Sequence, residues 1–180
     1  MWNVPIYRRR SRLRLTQYSN FALRTLQLLA LRAPAIVSVE DVARAHRISR
    51  SHLVKVAHEL GRRGYVETIR GRNGGMRLAR PAEEITVGEI IRWTEAPLEL
   101  VECFNSETNT CPLLGACHLS RGIQRALRAF LSVLDDMTIA DIAINRVALL
   151  ERLQDAGGVD SGLPIEGEAD PFVSGVVAIK

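Results

Sequence analysis

Residues 38–78 read SVEDVARAHRISRSHLVKVAHELGRRGYVETIRGRNGGMRL, and the spacing of the apolar residues changes within this stretch. Its first four residues match a capping box, so a short helix is predicted to follow Ser38. After a turn at 46–49, apolar residues recur three and four positions apart until Gly61, which predicts a second helix. From residue 65, apolar and polar residues alternate on both sides of a glycine-rich turn at 71–75, a pattern that predicts a β-hairpin.

Another amphipathic helix precedes this stretch. Apolar residues recur at helical spacing from Ser19 to Leu31, and Pro34 follows soon after. Three helices and then a hairpin is the order of elements in a winged helix, and the short second helix, the turn and the third helix form a helix-turn-helix. The sequence therefore predicts a mainly α fold with a small β-hairpin, and we assign 13–95 to a winged helix-turn-helix DNA-binding domain.

The residues expected to contact DNA lie at the start of the third helix and on the hairpin. In this fold the third helix enters the major groove with its first residues facing base edges, while arginines on the hairpin are suited to the minor groove. Polar helix starts and arginine-rich hairpins also occur in proteins that never bind DNA, but here they occur together and in the right order. The predicted DNA-binding residues are Ser49, Arg50, Ser51, His52, Lys55, Arg70, Arg72, Asn73 and Arg77.

Composition and charge fit a nucleic-acid partner without requiring one. The chain has 180 residues, a formal net charge of +4 and an apolar fraction of 47%. We find no continuous apolar run long enough for a membrane span and no signal-peptide pattern, so we expect a cytoplasmic protein. We also find no Ser-His-Asp arrangement, phosphate loop or dinucleotide fingerprint, which argues against an enzyme.

Three cysteines lie within fifteen residues of one another, at Cys103, Cys111 and Cys117. An odd, clustered set argues against a disulfide framework and favours a metal-binding or redox role. Thiolates are the ligands of iron–sulfur clusters, whereas structural zinc sites usually have cysteine pairs two to four residues apart. The spacing therefore favours a cluster, with zinc and three unrelated thiols as the alternatives.

A four-iron, four-sulfur cluster is favoured over a two-iron cluster, and it needs a fourth ligand that the cysteines do not supply. His118 follows the last cysteine directly, and Glu102 and Asn20 are further candidates. Water or a residue of a partner subunit would also serve. An open fourth position would leave one iron accessible to small reactants such as nitric oxide or oxygen.

The rest of the chain is predicted to contain three more helices. The first follows Thr86, a long one covers 119–134, and the last runs from about 139 to 153 after a capping box at Thr138. We divide the chain into a disordered extension at 1–12, the DNA-binding domain, a cluster-binding loop at 96–118, dimerisation helices at 119–154 and a disordered tail at 155–180.

Several segments resemble the Rrf-type winged-helix regulators. The matching segments are Leu15–Arg24, Ile48–Lys55 and Gly64–Gly75, and the sequence around the three cysteines resembles the cluster-binding branch of that family. The nitric-oxide-sensitive repressors of that branch are the most similar. Its iron-responsive repressors come next, followed by its cluster-assembly regulators.

The resemblance implies a homodimer that binds a palindromic operator, with the long helix as the dimer interface. It implies nitric oxide as the signal, with iron or cluster status as the alternative. In part of the family an aspartate from the first helix of the other subunit completes the cluster, and Asn20 occupies the matching position here. Arg24, on the same helix, is a candidate to hold the dimer or the cysteine loop.

Overall fold

The computed structural model describes residues 14–72 and 74–155. The predictions for 1–12, for Asn73 and for 156–180 lie outside these residues. The elements are α1 (Gln17–Arg32), α2 (Val39–His46), α3 (Arg50–Arg62), β1 (Val66–Ile69), β2 (Gly75–Leu78), α4 (Val87–Thr94), α5 (His118–Asp135), α6 (Ile139–Ile142) and α7 (Arg146–Asp155). Single 3-10 turns lie at Ala82–Glu84 and Glu102–Phe104.

Four helices begin at residues whose hydroxyl groups cap them. Thr16, Ser38, Thr86 and Thr138 each accept a hydrogen bond from the backbone amide three positions on. At Ser38 and Thr138 an aspartate completes a capping box, as the sequence predicted. Each cap satisfies an amide that would otherwise lack a partner and so fixes where the helix starts.

The core lies around α1, which packs against α3, α4 and α6. Leucines and isoleucines from these four helices are almost fully buried there: Leu26, Leu53, Leu60, Ile90 and Ile139. Backbone hydrogen bonds from Val87 to Met137 (2.7 Å) and from Ile139 to Ile85 (2.8 Å) join α6 to the segment that precedes α4. The C-terminal helices are thereby attached to the DNA-binding fold.

The hairpin is extended by a backbone bridge to the segment before α2. β1 and β2 pair antiparallel, and Val37 and Met76 exchange two backbone hydrogen bonds of 3.0 and 2.9 Å. Gly75 sits at this crossing, because a Cβ atom there would come within 2.6 Å of the Val37 carbonyl oxygen. The wing is therefore held against the helix-turn-helix by its own backbone.

One prediction about the helices is wrong. The single last helix expected from about 139 to 153 is divided into α6 and α7 by a break at 143–145. Asn145 precedes α7, and asparagine favours helix starts over helix interiors because its side chain competes for backbone hydrogen bonds. Within the described residues, no helix is long and apolar enough to cross a membrane.

Candidate functional site

The start of α3 presents short polar side chains to solvent. Ser49 occupies the N-cap position, but its side chain makes no capping hydrogen bond. Its hydroxyl instead lies 2.8 Å from the hydroxyl of Ser51. Both hydroxyls are exposed, where a phosphate or a base edge can reach them.

Arg50 is paired with Glu40 of α2. Its Nε atom donates to the Glu40 carboxylate, and both side chains are largely exposed. This hydrogen bond lowers the pKa of the Glu40 carboxyl. Sequence reasoning missed Glu40. The packing of α2 against α3 brings it to Arg50, and no local motif indicates that contact.

His52 and Lys55 line a shallow open cavity between α3 and α1. The cavity measures about 230 Å³ and is also lined by Gln17, Tyr18, Phe21 and Val56. The imidazole of His52 stacks on Phe21, with ring centroids 6.0 Å apart. The recognition helix is therefore in direct contact with α1 at one of its predicted DNA-binding residues.

The hairpin tip carries exposed arginines. Arg70 and Arg72 flank Gly71, whose φ of 121° is one that glycine adopts readily. Arg77 is farther down the hairpin and pairs with Glu67 across the strands at 2.9 Å. Asn73, the other predicted tip residue, lies outside the described part of the chain.

A row of stacked side chains supports the base of the wing. Trp93 and Tyr65 stack with centroids 6.3 Å apart, Arg63 lies 4.6 Å from the Trp93 ring centroid, and Arg80 lies 5.1 Å from that of Tyr65. Arg63 directly follows α3, and Arg80 lies two residues after β2. Their guanidinium groups are held on aromatic faces and add positive charge beside the predicted DNA-binding surface.

The three cysteines lie on one loop and are all partly buried. Cys103 is in the 3-10 turn, Cys111 is in the loop, and Cys117 is the N-cap residue of α5. The Cys103 thiol donates to the hydroxyl of Ser120, in the first turn of α5, over 3.3 Å. The first and last cysteines are thereby attached to the same helix end, which stabilises nearby negative charge.

Glu102, a candidate ligand from the sequence, has a different partner. Its Oε1 atom accepts hydrogen bonds from the backbone amide and the hydroxyl of Thr110, each 2.6 Å long. These bonds lower the pKa of the Glu102 carboxyl. The other candidates, Asn20 near the start of α1 and His118 at the first position of α5, are exposed.

The donor set suits a thiophilic metal centre, although the three thiols are not gathered at one point. Within 14–72 and 74–155, no group of three or more His, Cys, Asp or Glu side chains is arranged to hold a metal ion. Three partly buried thiols on one loop are nevertheless the ligand type that iron–sulfur clusters require. A cluster at Cys103, Cys111 and Cys117 would require the loop to tighten.

The base of the cysteine loop is tied to α1. Glu95 ends α4 just before the loop, and its Oε1 atom accepts from the backbone amide of Thr16 over 2.6 Å and from the hydroxyl of Ser19. Ser19 is fully buried and precedes Asn20. The same helix stacks on His52 through Phe21, so α1 joins the loop to the recognition helix.

Comparison with known proteins gives one consistent picture. A family model described as Rrf2, an iron-dependent transcriptional regulator, matches residues 15–145. The HTH-type transcriptional regulator NsrR of Shouchella clausii is 50% identical over 143 residues, which cover 79% of this chain and 96% of that protein. The NsrR regulator of Bacillus subtilis is 41% identical, with 79% and 98% covered.

A solved structure shares the fold. CymR, the global cysteine regulator of Bacillus subtilis, superposes with a TM-score of 0.61 at 26% identity, covering 73% of this chain and 97% of that one. The mainly helical fold with a two-stranded wing, predicted from the sequence, is thus confirmed.

Proposed function

The chain belongs to the Rrf2 family of transcriptional regulators, and on that premise we propose that it is a repressor that senses nitric oxide through an iron–sulfur cluster. It binds DNA and regulates transcription, as members of this family do. Repression, the cluster and the signal are the proposed parts. We place the protein in the cytoplasm, where DNA and reduced thiols are found together.

For DNA binding, α3 lies in the major groove of a palindromic operator. Ser49, Ser51 and Lys55 contact bases or phosphates, and Arg50 is available once it leaves Glu40. At the wing, Arg72 reaches the adjacent minor groove. Exposure of these side chains supports this arrangement.

A palindromic operator calls for a two-fold symmetric dimer, and α5 offers the surface for one. None of its residues is buried in the single chain. Its apolar residues at 119, 123, 126, 130 and 133 recur four and three positions apart, which is the spacing of a coiled-coil seam. Leu119 is 70% exposed and Val133 is 63% exposed, so a second copy of α5 would bury a large apolar area.

Cys103, Cys111 and Cys117 would hold the cluster, with four irons favoured over two. Bound there, the cluster would supply irons that react with nitric oxide, most directly at an iron without a cysteine ligand. Asn20 of a partner subunit is a neutral amide and a poor iron ligand. His118 directly follows Cys117 in the chain, a spacing too short for both side chains to reach one cluster readily. We therefore propose an open or solvent-filled fourth position.

The observation that carries the proposal is the connection from the cysteine loop to the recognition helix. Glu95 holds the loop base on α1, and α1 holds His52 through Phe21. A loop drawn together around its cysteines would hold the start of α1, and with it the contact to His52, in one position, and a loop released from them would not. Release would thus lower the population of the DNA-binding arrangement.

Anaerobically purified full-length protein tests the proposal. We expect iron and acid-labile sulfide in the wild type, visible absorbance that bleaches with nitric oxide, and operator binding that weakens in parallel. Alanine variants of each cysteine should lose the absorbance and bind the operator weakly, with an intact far-ultraviolet circular dichroism spectrum. Ser106→Ala, in the same loop, is the matched control and should behave as the wild type.

The family description favours a second candidate, a response to iron supply. In that case chelation of iron, and not nitric oxide at low dose, would release the operator. Tightly bound zinc in colourless protein, or full operator binding by all three cysteine variants, would contradict both candidates.

A further inference from the structure

The segment between the first two cysteines is closed by a side chain that is not a cysteine. Glu102 and Thr110 immediately precede Cys103 and Cys111 in the chain. One carboxylate oxygen of Glu102 accepts both the amide and the hydroxyl of Thr110, at 2.6 Å each. Two hydrogen bonds on one oxygen fix Glu102 and Thr110 against each other and so close the seven-residue loop between them.

We infer that Glu102 is a positioning residue that closes this loop and thereby holds the Cys103 and Cys111 thiols near each other before any metal binds. The inference rests on the proposed function in one respect only, that the thiols it gathers are cluster ligands. Closure of the loop is a property of the metal-free chain and is tested there.

The turns inside the loop support this role. The Asn105 side-chain oxygen accepts from the backbone amides of Glu107 (2.9 Å) and Thr108 (3.3 Å), and that of Asn109 accepts from the amide of Cys111 (3.1 Å). These local hydrogen bonds turn the chain, but none of them spans the loop. The Glu102–Thr110 pair does span it.

Closure before binding has a physical benefit for the ligand set. Ordering a mobile loop costs conformational entropy at the moment of binding, and a loop already closed has lost much of that freedom. Cys103 is also oriented by its hydrogen bond to Ser120 at the start of α5. Cys103 and Cys117 are thus attached to the start of α5, and Glu102 brings Cys111 toward them.

Thiol crosslinking in metal-free protein tests the inference. The probe is dibromobimane, which bridges two neighbouring thiols and fluoresces when both arms have reacted. All assays use full-length protein carrying Cys117→Ser, so that Cys103 and Cys111 are the only thiols in the chain. Circular dichroism checks that each variant is folded.

Glu102→Ala should slow the second, bridging reaction by about three- to tenfold, because the hydrogen bonds that close the loop are lost and water replaces them only partly. Glu102→Gln keeps an acceptor oxygen and should bridge at the wild-type rate. Glu107→Ala removes a carboxylate from the same loop that makes no side-chain hydrogen bond within the described residues, and should also bridge normally.

An unchanged bridging rate in folded Glu102→Ala, or equal slowing in Glu107→Ala, would overturn the inference whatever the metal content. Iron and sulfide analysis of the unsubstituted protein decides the proposed function separately. If the unsubstituted protein contains no cluster but Glu102→Ala still slows bridging, closure of the loop by Glu102 would stand and the proposed iron–sulfur function would fail.

Discussion

The imidazole of His46 lies partly buried at the end of α2, and its Nε2 atom has no hydrogen-bond partner in the described part of the chain. Burial lowers the pKa of this ring, and the positive charge of Arg24 adds to the effect. An unfolded chain protonates histidine near pH ~6.5. Between that pH and the lower pKa of the folded state, only the unfolded state binds the proton.

The free energy of unfolding should therefore fall as the pH drops from about 7.5 to about 5.5, since the unfolded state gains a proton there. The share due to His46 should stay below about 1 kcal/mol, because the ring is not fully buried. Urea unfolding at about pH 7.5 and about pH 5.5 measures this change in the free energy of unfolding. His46→Gln should reduce the pH dependence. An equal pH dependence in the wild type and this variant would count against the assignment.

Glu40 shows what a sequence pattern cannot reveal at single residues. The arginine at position 50 could be assigned to the DNA-binding surface from its place at the start of α3. Its partner could not, because the Arg50–Glu40 pair depends on how α2 packs against α3. An exposed pair of this kind adds little to stability. To make the proposed DNA contact, Arg50 would first have to leave the Glu40 carboxylate.

At the scale of elements, the starts of helices were predictable and one interruption was not. Ser38, Thr86 and Thr138 were identified as caps because their hydroxyls serve local amides, and all three do so. The break at 143–145 was not predicted, because apolar residues continue on both sides of it and the local signal for it is a single asparagine at 145.

The wing offers a prediction at this scale. Arg72 is exposed at the tip and forms no ion pair within residues 14–72 and 74–155, whereas Arg77 is held by Glu67. Arg72→Ala should weaken operator binding and reduce the slope of log affinity against log salt by about 1, because a cationic side chain in the minor groove neutralises about one phosphate charge and releases its counterion. Fluorescence anisotropy at several salt concentrations measures both quantities.

Arg77→Ala is the matched control for the wing, since it removes the same charge from a side chain that is already paired with Glu67. Its effect on the salt slope should be smaller. If the two variants reduce the slope equally, the charge of the hairpin as a whole, and not contact by its tip, would explain binding.

At the scale of the molecule, the cysteine site was only partly accessible from sequence. The spacing of the three thiols identified the loop, and the structure places them on one segment at the start of α5. The Thr110 partner of Glu102 was not foreseen, because a contact between residues eight positions apart leaves no periodic signal. A fourth cluster ligand supplied by a second subunit would likewise depend on how two chains assemble, which one sequence does not specify.

The assembly itself is testable through α5. Phe130→Glu places a charge in the middle of the proposed seam, where it would be desolvated against a second copy, so we expect monomers. Sedimentation velocity measures the change in mass. Because two recognition helices must bind the operator together, its affinity should fall by at least about a hundredfold, toward that of one half-site.

Gln124→Glu adds the same charge to an exposed position of α5 outside the seam, and should leave both mass and affinity unchanged. A Phe130→Glu protein that remains dimeric would place the subunit interface elsewhere and remove the reason for the exposed apolar residues of α5.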